Sequence, residues 1–505
     1  MTKARTMTTF MRACRRLPLL LAPALLALAM GKANAQQAPA TLSLEEAVAL
    51  ARRYNPDYRT QANDPAIADW QVREAYGNLL PGVQVRTSAS YILPGTERLG
   101  STSLQESTPP QYSSNYSIGG GMTLSGATFF NLSRVRANRD ATDARVAAAG
   151  YNLASDVTRD YLAAMRSRDA IIVARQALET ARETKKLADA RFAGGAATQL
   201  DAAQADVGVG RAEVALIQAE NQQQVDQLRL LERIGVSMDR PVELTSKLEV
   251  FDPSWSREQL LSIAQSNHPQ IQAARASESA GLANARAARM AYLPSLSFSA
   301  GWSGSAREIG DRNQIIKNVK SSVANRRENC EINNKFAALI NEPLDDCTQY
   351  VFTPQLQADA LAANNNFPFN FTTAPPAFSL TISLPIFDGF TREVQMQSAR
   401  ADADDASYRR RAAELAQHTA VAAAHGTVMS ARRLVDIEQR NVQAADLALN
   451  IARERYRLGA DTFDRVATAQ QTKAQADQAQ LLALYSFHES VAALEAAVGQ
   501  PLRGR

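Results

Sequence analysis

The chain has 505 residues, 45% hydrophobic and 21% charged, which allows a large core and excludes a disordered or collagen-like chain. Its formal charge of +4 belongs to the N-terminus: residues 1–35 hold Lys3, Arg5, Arg12, Arg15, Arg16 and Lys32 and no acid, so the remainder stands at −2, without the basic footprint of a nucleic-acid binder. Three cysteines in so long a chain exclude a disulfide scaffold.

In chain order, the bases of 12–16, the apolar run 17–30 and the small residues Ala33-Asn34-Ala35 predict a cleaved signal peptide over 1–35. The apolar run is about 14 residues and holds two prolines, short of the ~20 residues needed to span hydrocarbon. Cys14 precedes that run and leaves with the peptide. No other uncharged stretch of 18 residues is apolar throughout, so the mature chain is either soluble in an oxidising space or inserted as strands.

The rest of the chain matches itself at two offsets. At 213, Glu45 matches Glu258, Pro56 matches Pro269, Arg73 matches Arg286 and Leu80-Pro81 matches Leu293-Pro294. At 264, Arg168 matches Arg432, Arg191 matches Arg455, Gly195-Ala196 matches Gly459-Ala460, Thr198 matches Thr462 and Gly235 matches Gly499. The expectation is a tandem duplication, 36–255 and 256–505, whose second copy carries a 51-residue excess within an Asn-rich insert at about 305–376.

Within each copy the hydrophobic period changes in a fixed order. Val83, Val85, Ala89 and Tyr91, then Tyr116, Ile118, Met122 and Leu124, predict two strands. The segment 129–193 is 65 residues, about 100 Å if helical. The returning segment 196–235 (40 residues) carries a small-residue seam at Leu200, Ala203, Val207, Gly210, Val214 and Ile217. Residues 236–255 would form a belt with 36–55. In copy two, Leu296, Phe298, Ala300 and Trp302 and then Phe378, Leu380, Ile382, Leu384 and Ile386 are the strands, and 391–457 and 460–499 the helices. A seam at sevens joins Ile437, Ala444, Ile451 and Leu458. Segments 56–80 and 269–293, each opened by a proline, have the length to complete each long helix's antiparallel match.

Four strands cannot close a barrel, whose smallest single-chain form needs about eight, and hydrocarbon tolerates no open edge. Three chains pooling twelve strands would close one. A soluble sandwich would share the alternation but leave the ~100 Å helices without a role.

With the signal peptide, the duplicated helix–strand–strand–helix unit and the segment Arg455-Tyr456-Arg457-Leu458-Gly459-Ala460-Asp461-Thr462, the chain resembles the TolC family of outer-membrane efflux channels over its mature length. The resemblance implies an α+β membrane protein: a homotrimer with a 12-stranded barrel continued by a helical coiled-coil barrel through the periplasm, in the outer membrane of a diderm bacterium. It implies as partners outer-membrane lipid, a periplasmic membrane-fusion adaptor and an inner-membrane pump of the RND or ABC type. The adaptor-binding tip turns would be Gly195, Ala196, Ala197 and Thr198, and Gly459, Ala460, Asp461 and Thr462; helix C-capping is the plainer role of these glycines. Family members hold the tip closed with a tyrosine, an arginine and an aspartate. Tyr456 and Asp201 match the first and last, Asp461 replaces the arginine, and Arg465 and Thr468 stand where aspartates are usual, with Asp464 offset by one. A rearranged charge lock of Asp201, Asp461, Asp464 and Arg465 is one expectation, and solvated helix ends are the other.

His268, His418, His425 and His488 lie scattered without partner spacing, and no nucleophile elbow, P-loop or dinucleotide glycine pattern occurs, so neither an enzyme nor a cofactor or metal site is expected. Cys330 and Cys347 are expected to form a disulfide within a surface-exposed insert that partly covers the pore mouth. The functional expectation is a passive exit channel for drugs or small molecules. A type I protein secretion duct is the alternative within transport, and a structural trimeric fibre the alternative outside it.

Overall fold

The structure, a computed structural model, describes residues 40–98, 105–237 and 242–502. The expected signal peptide and Cys14 lie outside the described residues. The elements in order are β1 (Thr41–Leu42), α1 (Leu44–Tyr54), α2 (Pro56–Ala62), α3 (Asp64–Gly77), β2 (Gly82–Ile92), β3 (Gly95–Arg98), β4 (Gln105–Thr108), β5 (Gln111–Ser125), α4 (Gly126–Ala193) and α5 (Gln199–Ile234). After β6 (Glu243–Leu244) follow α6 (Arg257–Asn267), α7 (Pro269–Arg289), β7 (Ser295–Ile309), α8 (Arg312–Leu339), α9 (Pro354–Ala363), β8 (Thr372–Thr373), β9 (Ala377–Ser383), α10 (Thr391–Arg457) and α11 (Phe463–Val498). The chain divides into two compact units. One comprises the residues through Pro65, Ala141–Ala276 and Ser407 onward, and the other Ala66–Asp140 and Ser277–Ala406.

The first unit is helical. Ser43 and Ser256 open α1 and α6 with capping boxes to Glu46 and Gln259. Asn55 and Thr198 cap α2 and α5, while Gly235 and Gly499 end α5 and α11 in the left-handed region. Two joints repeat one construction. Asn55, just before Pro56, donates from Nδ2 to the Arg233 carbonyl (2.8 Å). His268, just before Pro269, lies 3.1 Å from the Ala496 carbonyl through Nε2, and Gln270 N–H donates to its Nδ1 (3.2 Å). The second contact makes Nδ1 the acceptor and leaves Nε2 as donor, and burial lowers the pKa of this imidazole.

Around these joints lie two cores. Leu42, Val157, Tyr161, Leu162, Leu230, Leu231, Ile234 and Tyr485 are essentially fully buried, each contributing about 1.5–3 kcal/mol on burial. Leu260, Val421, Val428, Phe487, Val491, Leu494 and Val498 form the second cluster. Helix α11 is apolar enough by composition to cross a membrane, but half of its most apolar window is buried in the chain's own packing. The segment around β6 pairs in parallel with β1. Arg168 donates to the Leu244 carbonyl (2.8 Å) and Arg432 pairs with Asp252 (2.8 Å), so two arginines related by the 264-residue offset hold the two ends of this crossing segment. Tyr485 donates to Asp169 (2.5 Å), and its burial together with that carboxylate raises its pKa.

The second unit carries an antiparallel sheet in the order β2-β5-β7, with β8 and β9 both on the far side of β7. Pro375 and Pro376, which have no N–H for the ladder, separate those last two. The register pairs Val85 with Ile118, Ile118 with Trp302, Met122 with Phe298, Phe298 with Leu380 and Leu296 with Ile382. Since paired residues share a face, one face is apolar throughout that stretch. The other carries Ser297, Ser299, Ser303, Thr123, Ser117, Ser379 and Thr381, with hydroxyl contacts such as Thr123–Ser297 (3.0 Å) and Ser299–Ser379 (2.7 Å).

Several boundaries differ from the sequence reading. The helix expected over 56–80 is two, because Pro65 in the first turn of α3 cannot continue the preceding helix. Strand β7 runs on to Ile309, so the insert starts later than 305, and it is largely helical. Strand β9 stops at Ser383, ahead of Pro385, leaving Ile386 exposed beyond it.

Candidate functional site

The two turns that join α4 to α5 and α10 to α11 are the site the sequence singles out. In the first, the N–H groups of Gly194, Gly195 and Ala196 donate to the carbonyls of Ala190 (3.1 Å), Phe192 (2.9 Å) and Arg191 (2.8 Å). Gly195 has φ +71°, which a residue with a Cβ adopts at a cost. Thr198 then starts α5: its hydroxyl accepts from Asp201 N–H (3.2 Å), and the Asp201 carboxylate accepts from Thr198 N–H (3.0 Å). Asp201 therefore serves its own helix start, where negative charge is also favoured by the macrodipole.

The second turn begins in the same way. Gly459 N–H donates to the Tyr456 carbonyl (2.9 Å) and Ala460 N–H to that of Arg455 (2.8 Å), with Gly459 at φ +79°. It then departs from the first. Arg465 occupies the position of Asp201, and a guanidinium has no acceptor for the Thr462 N–H; the Thr462 side chain makes no cap bond either. Asp461 takes over: its Oδ1 accepts from Thr462 N–H (2.9 Å) and pairs with Arg465 Nε (3.2 Å), while Oδ2 lies 3.9 Å from Arg455. Of the expected charge lock, then, Asp461 and Arg465 meet, Asp201 turns to its own cap, and Asp464 forms no ion pair among the described residues.

Behind the turns is a small core of Ala188, Ala205, Tyr456, Phe463 and Val466. Tyr456 is 3% exposed and meets Phe463 edge-on at 5.6 Å. Its hydroxyl has no hydrogen-bond partner among the described residues, and burial, followed by the nearby Asp201 charge, raises its pKa. The arginine over its ring is Arg191, 4.5 Å from the centroid, which also donates to the Ala196 carbonyl (2.9 Å). Sequence reading missed this role, although the pairing of Arg191 with Arg455 in the repeat had placed it at the last turn of α4. Arg453, also missed, donates to the Thr180 carbonyl (2.6 Å) and Thr184 hydroxyl (2.9 Å) and so ties α10 to α4.

Beside this core runs a groove of about 780 Å³ lined by Leu200, Ala203, Val207, Gly208, Phe463 and Ala467, among others. Leu200, Val207, Val214 and Ile217 of the expected seam are each more than half exposed in the single chain, as surfaces awaiting another helix are.

The family model for outer membrane efflux protein matches residues 47–236 and 346–500. The chain belongs to this TolC-like outer membrane efflux protein family. Its fold matches those of three solved outer-membrane proteins. VceC of Vibrio cholerae is 17% identical (TM-score 0.65, 91% of this chain and 97% of that one). The Campylobacter jejuni CmeC channel is 17% identical (0.66, 90% and 85%). The open-state MtrE channel of Neisseria gonorrhoeae is 19% identical (0.64, 91% and 89%). No curated protein is detectably similar in sequence.

An outer membrane efflux protein is a channel rather than an enzyme, and three of the four histidines accord with structural roles. His268 builds a joint, His425 lies 3.2 Å from the Trp255 carbonyl through Nε2, and His488 is buried beside Phe487. Among the described residues no group of His, Cys, Asp and Glu could hold a metal ion. The efflux-protein match omits 237–345, which includes β7 and all of α8. Cys330, inside that gap, is joined by a disulfide to Cys347, just beyond it (2.07 Å).

Proposed function

We propose that this protein is the outer-membrane exit channel of a tripartite export system, a homotrimer whose three sheets close one 12-stranded barrel. One observation carries the reading: β2 pairs only with β5, and β9 only with β7, among the described residues, so a sheet with an apolar face has two open edges. In hydrocarbon each unpaired backbone group costs several kcal/mol, and pooling strands between copies removes every edge at once. The apolar face then meets lipid and the serine-rich face lines the bore. The exposed seam residues of α5 and α10 pack in the same way between copies as a periplasmic tube, and the repeated joints, turns and arginines support an origin by tandem duplication.

The tip turns 195–198 and 459–462 present backbone to a membrane-fusion adaptor, and an inner-membrane pump supplies the energy. The family description favours small-molecule efflux over protein secretion. Conduction through the bore is passive, and opening of the tip requires the Tyr456–Arg191 contact and the Asp461–Arg465 pair to move.

Reconstitution into planar bilayers tests the channel. Discrete conductance by a detergent-purified trimer is expected, and a protein that stays monomeric without detergent refutes it. For cargo, a deletion strain that accumulates ethidium and is rescued by the gene supports efflux. Unchanged accumulation with a secreted protein retained in the cell would favour secretion.

A further inference from the structure

The insert is fastened to the sheet. Its return segment folds onto the face of the sheet that carries Ile118 and Trp302. In the register, Tyr112, Ser114 and Tyr116 of β5 and Glu308 of β7 continue that face upward. Ser114 donates to the Pro368 carbonyl (2.6 Å), and Phe367 N–H donates to Glu308 (3.3 Å). Phe367 packs on Tyr112 (5.5 Å) and Phe371 meets Tyr116 edge-on (4.9 Å). Asn364 pairs through both side-chain atoms with the Ile309 backbone (2.9 Å each) and so extends the ladder. On the reading above, this is the lipid-facing side of the barrel, so the insert is anchored outward, just beyond the apolar band. On that reading the return segment lies outside the pore mouth rather than over it.

The insert also carries concentrated positive charge. Helix α8 starts three residues past β7, and its first 16 residues hold Arg312, Lys317, Lys320, Arg326 and Arg327 with no acid. All five are exposed. Lys320 rests on Phe352 (5.1 Å) and Arg327 pairs with Glu331 (3.0 Å), while Arg312, Lys317 and Arg326 form no ion pair among the described residues. Further along, Phe336, Leu339 and Ile340 are 63%, 81% and 66% exposed. Concentrated positive charge beside exposed apolar side chains is the chemistry that binds an anionic membrane interface.

We propose that α8 docks on the phosphate-bearing lipid headgroups of the outer leaflet and tethers the barrel rim to them. The inference rests on the channel reading of the sheet. The test is native mass spectrometry of the detergent-solubilised trimer titrated separately with lipid A, phosphatidylcholine and inorganic phosphate. Retention of lipid A over phosphatidylcholine, without competition by phosphate, is expected. With each base near the surface worth about 1 kcal/mol, the triple variant Arg312→Gln, Lys317→Gln, Arg326→Gln binds lipid A on the order of a hundred-fold more weakly. The charge-keeping variant Arg312→Lys, Lys317→Arg, Arg326→Lys binds like the parent. Equal lipid retention in the parent and the Gln variant overturns the inference, as does competition by free phosphate. Bilayer conductance separates the two readings. A parent protein that does not conduct refutes the channel, whereas conductance altered only in the Gln variant, with lipid binding intact, puts the insert at the pore mouth and refutes the tether.

Discussion

Four of the five glycines in the left-handed region among the described residues form two pairs under the 264-residue offset, Gly195 with Gly459 and Gly235 with Gly499, and alanine substitution separates them by surroundings. A Cβ at Gly235 would sit 2.5 Å from the Tyr54 carbonyl oxygen and 2.8 Å from its carbon, and one at Gly499 would sit 2.8 Å from His268 Cα. These neighbours are backbone and cannot rotate away. A Cβ at Gly195 meets nothing within 4 Å, and one at Gly459 meets only the far end of Arg191 at 3.5 Å. The left-handed strain of about 1–2 kcal/mol applies to all four, but overpacking of roughly 1–3 kcal/mol applies only at the joints. Chemical denaturation of the detergent-solubilised protein should show losses of about 1–2 kcal/mol for Gly195→Ala and Gly459→Ala. Losses of about 2–5 kcal/mol are expected for Gly235→Ala and Gly499→Ala. The tip variants should fold yet lose efflux in cells if, as proposed, this backbone is the surface offered to the adaptor. A Gly459→Ala variant as unstable as Gly499→Ala would refute the distinction.

Three further outcomes test the site. Tyr456→Phe removes a buried hydroxyl without a partner, so stability should hold or rise by up to about 1 kcal/mol and single-channel conductance should stay the same; a jump in conductance would mean that the hydroxyl latches the tip. The double variant Asp461→Ala, Arg465→Ala should raise conductance, and an unchanged trace discards the charge lock. His268 is held neutral in the fold, with its pKa below the usual 6.5, so the unfolded chain takes up the proton first. Its stabilising contribution is full above about pH 6.5 and is lost as pH falls through the folded value. The stability gap between the parent and His268→Asn, which copies the Asn55 joint, should narrow between about pH 7.5 and about pH 5, and a constant gap excludes the mechanism.

Most elements were legible because they depend on local rules. Period-two alternation marked all four long strands, and the glycines paired by the repeat, Gly195 with Gly459 and Gly235 with Gly499, marked the bounds of α5 and α11. The matching offsets placed Arg168 and Arg432 as counterparts before either had a partner. Local rules also failed locally: Pro65 split a helix that the length match had carried straight past it, and the helical insert was hidden by its Asn-rich, polar composition.

The sequence by itself determined the duplicated order of elements, the two-faced strands and the tip glycines, since hydrophobic period and backbone freedom are properties of neighbouring residues. Only the tertiary structure decided which arginine lies over Tyr456, why Asp461 replaces the lost cap, and which face of the sheet the insert covers. Each of these joins residues tens to hundreds of positions apart or weighs two competing partners for one charge. Such a contest is settled by distance and burial in space, and sequence spacing carries neither.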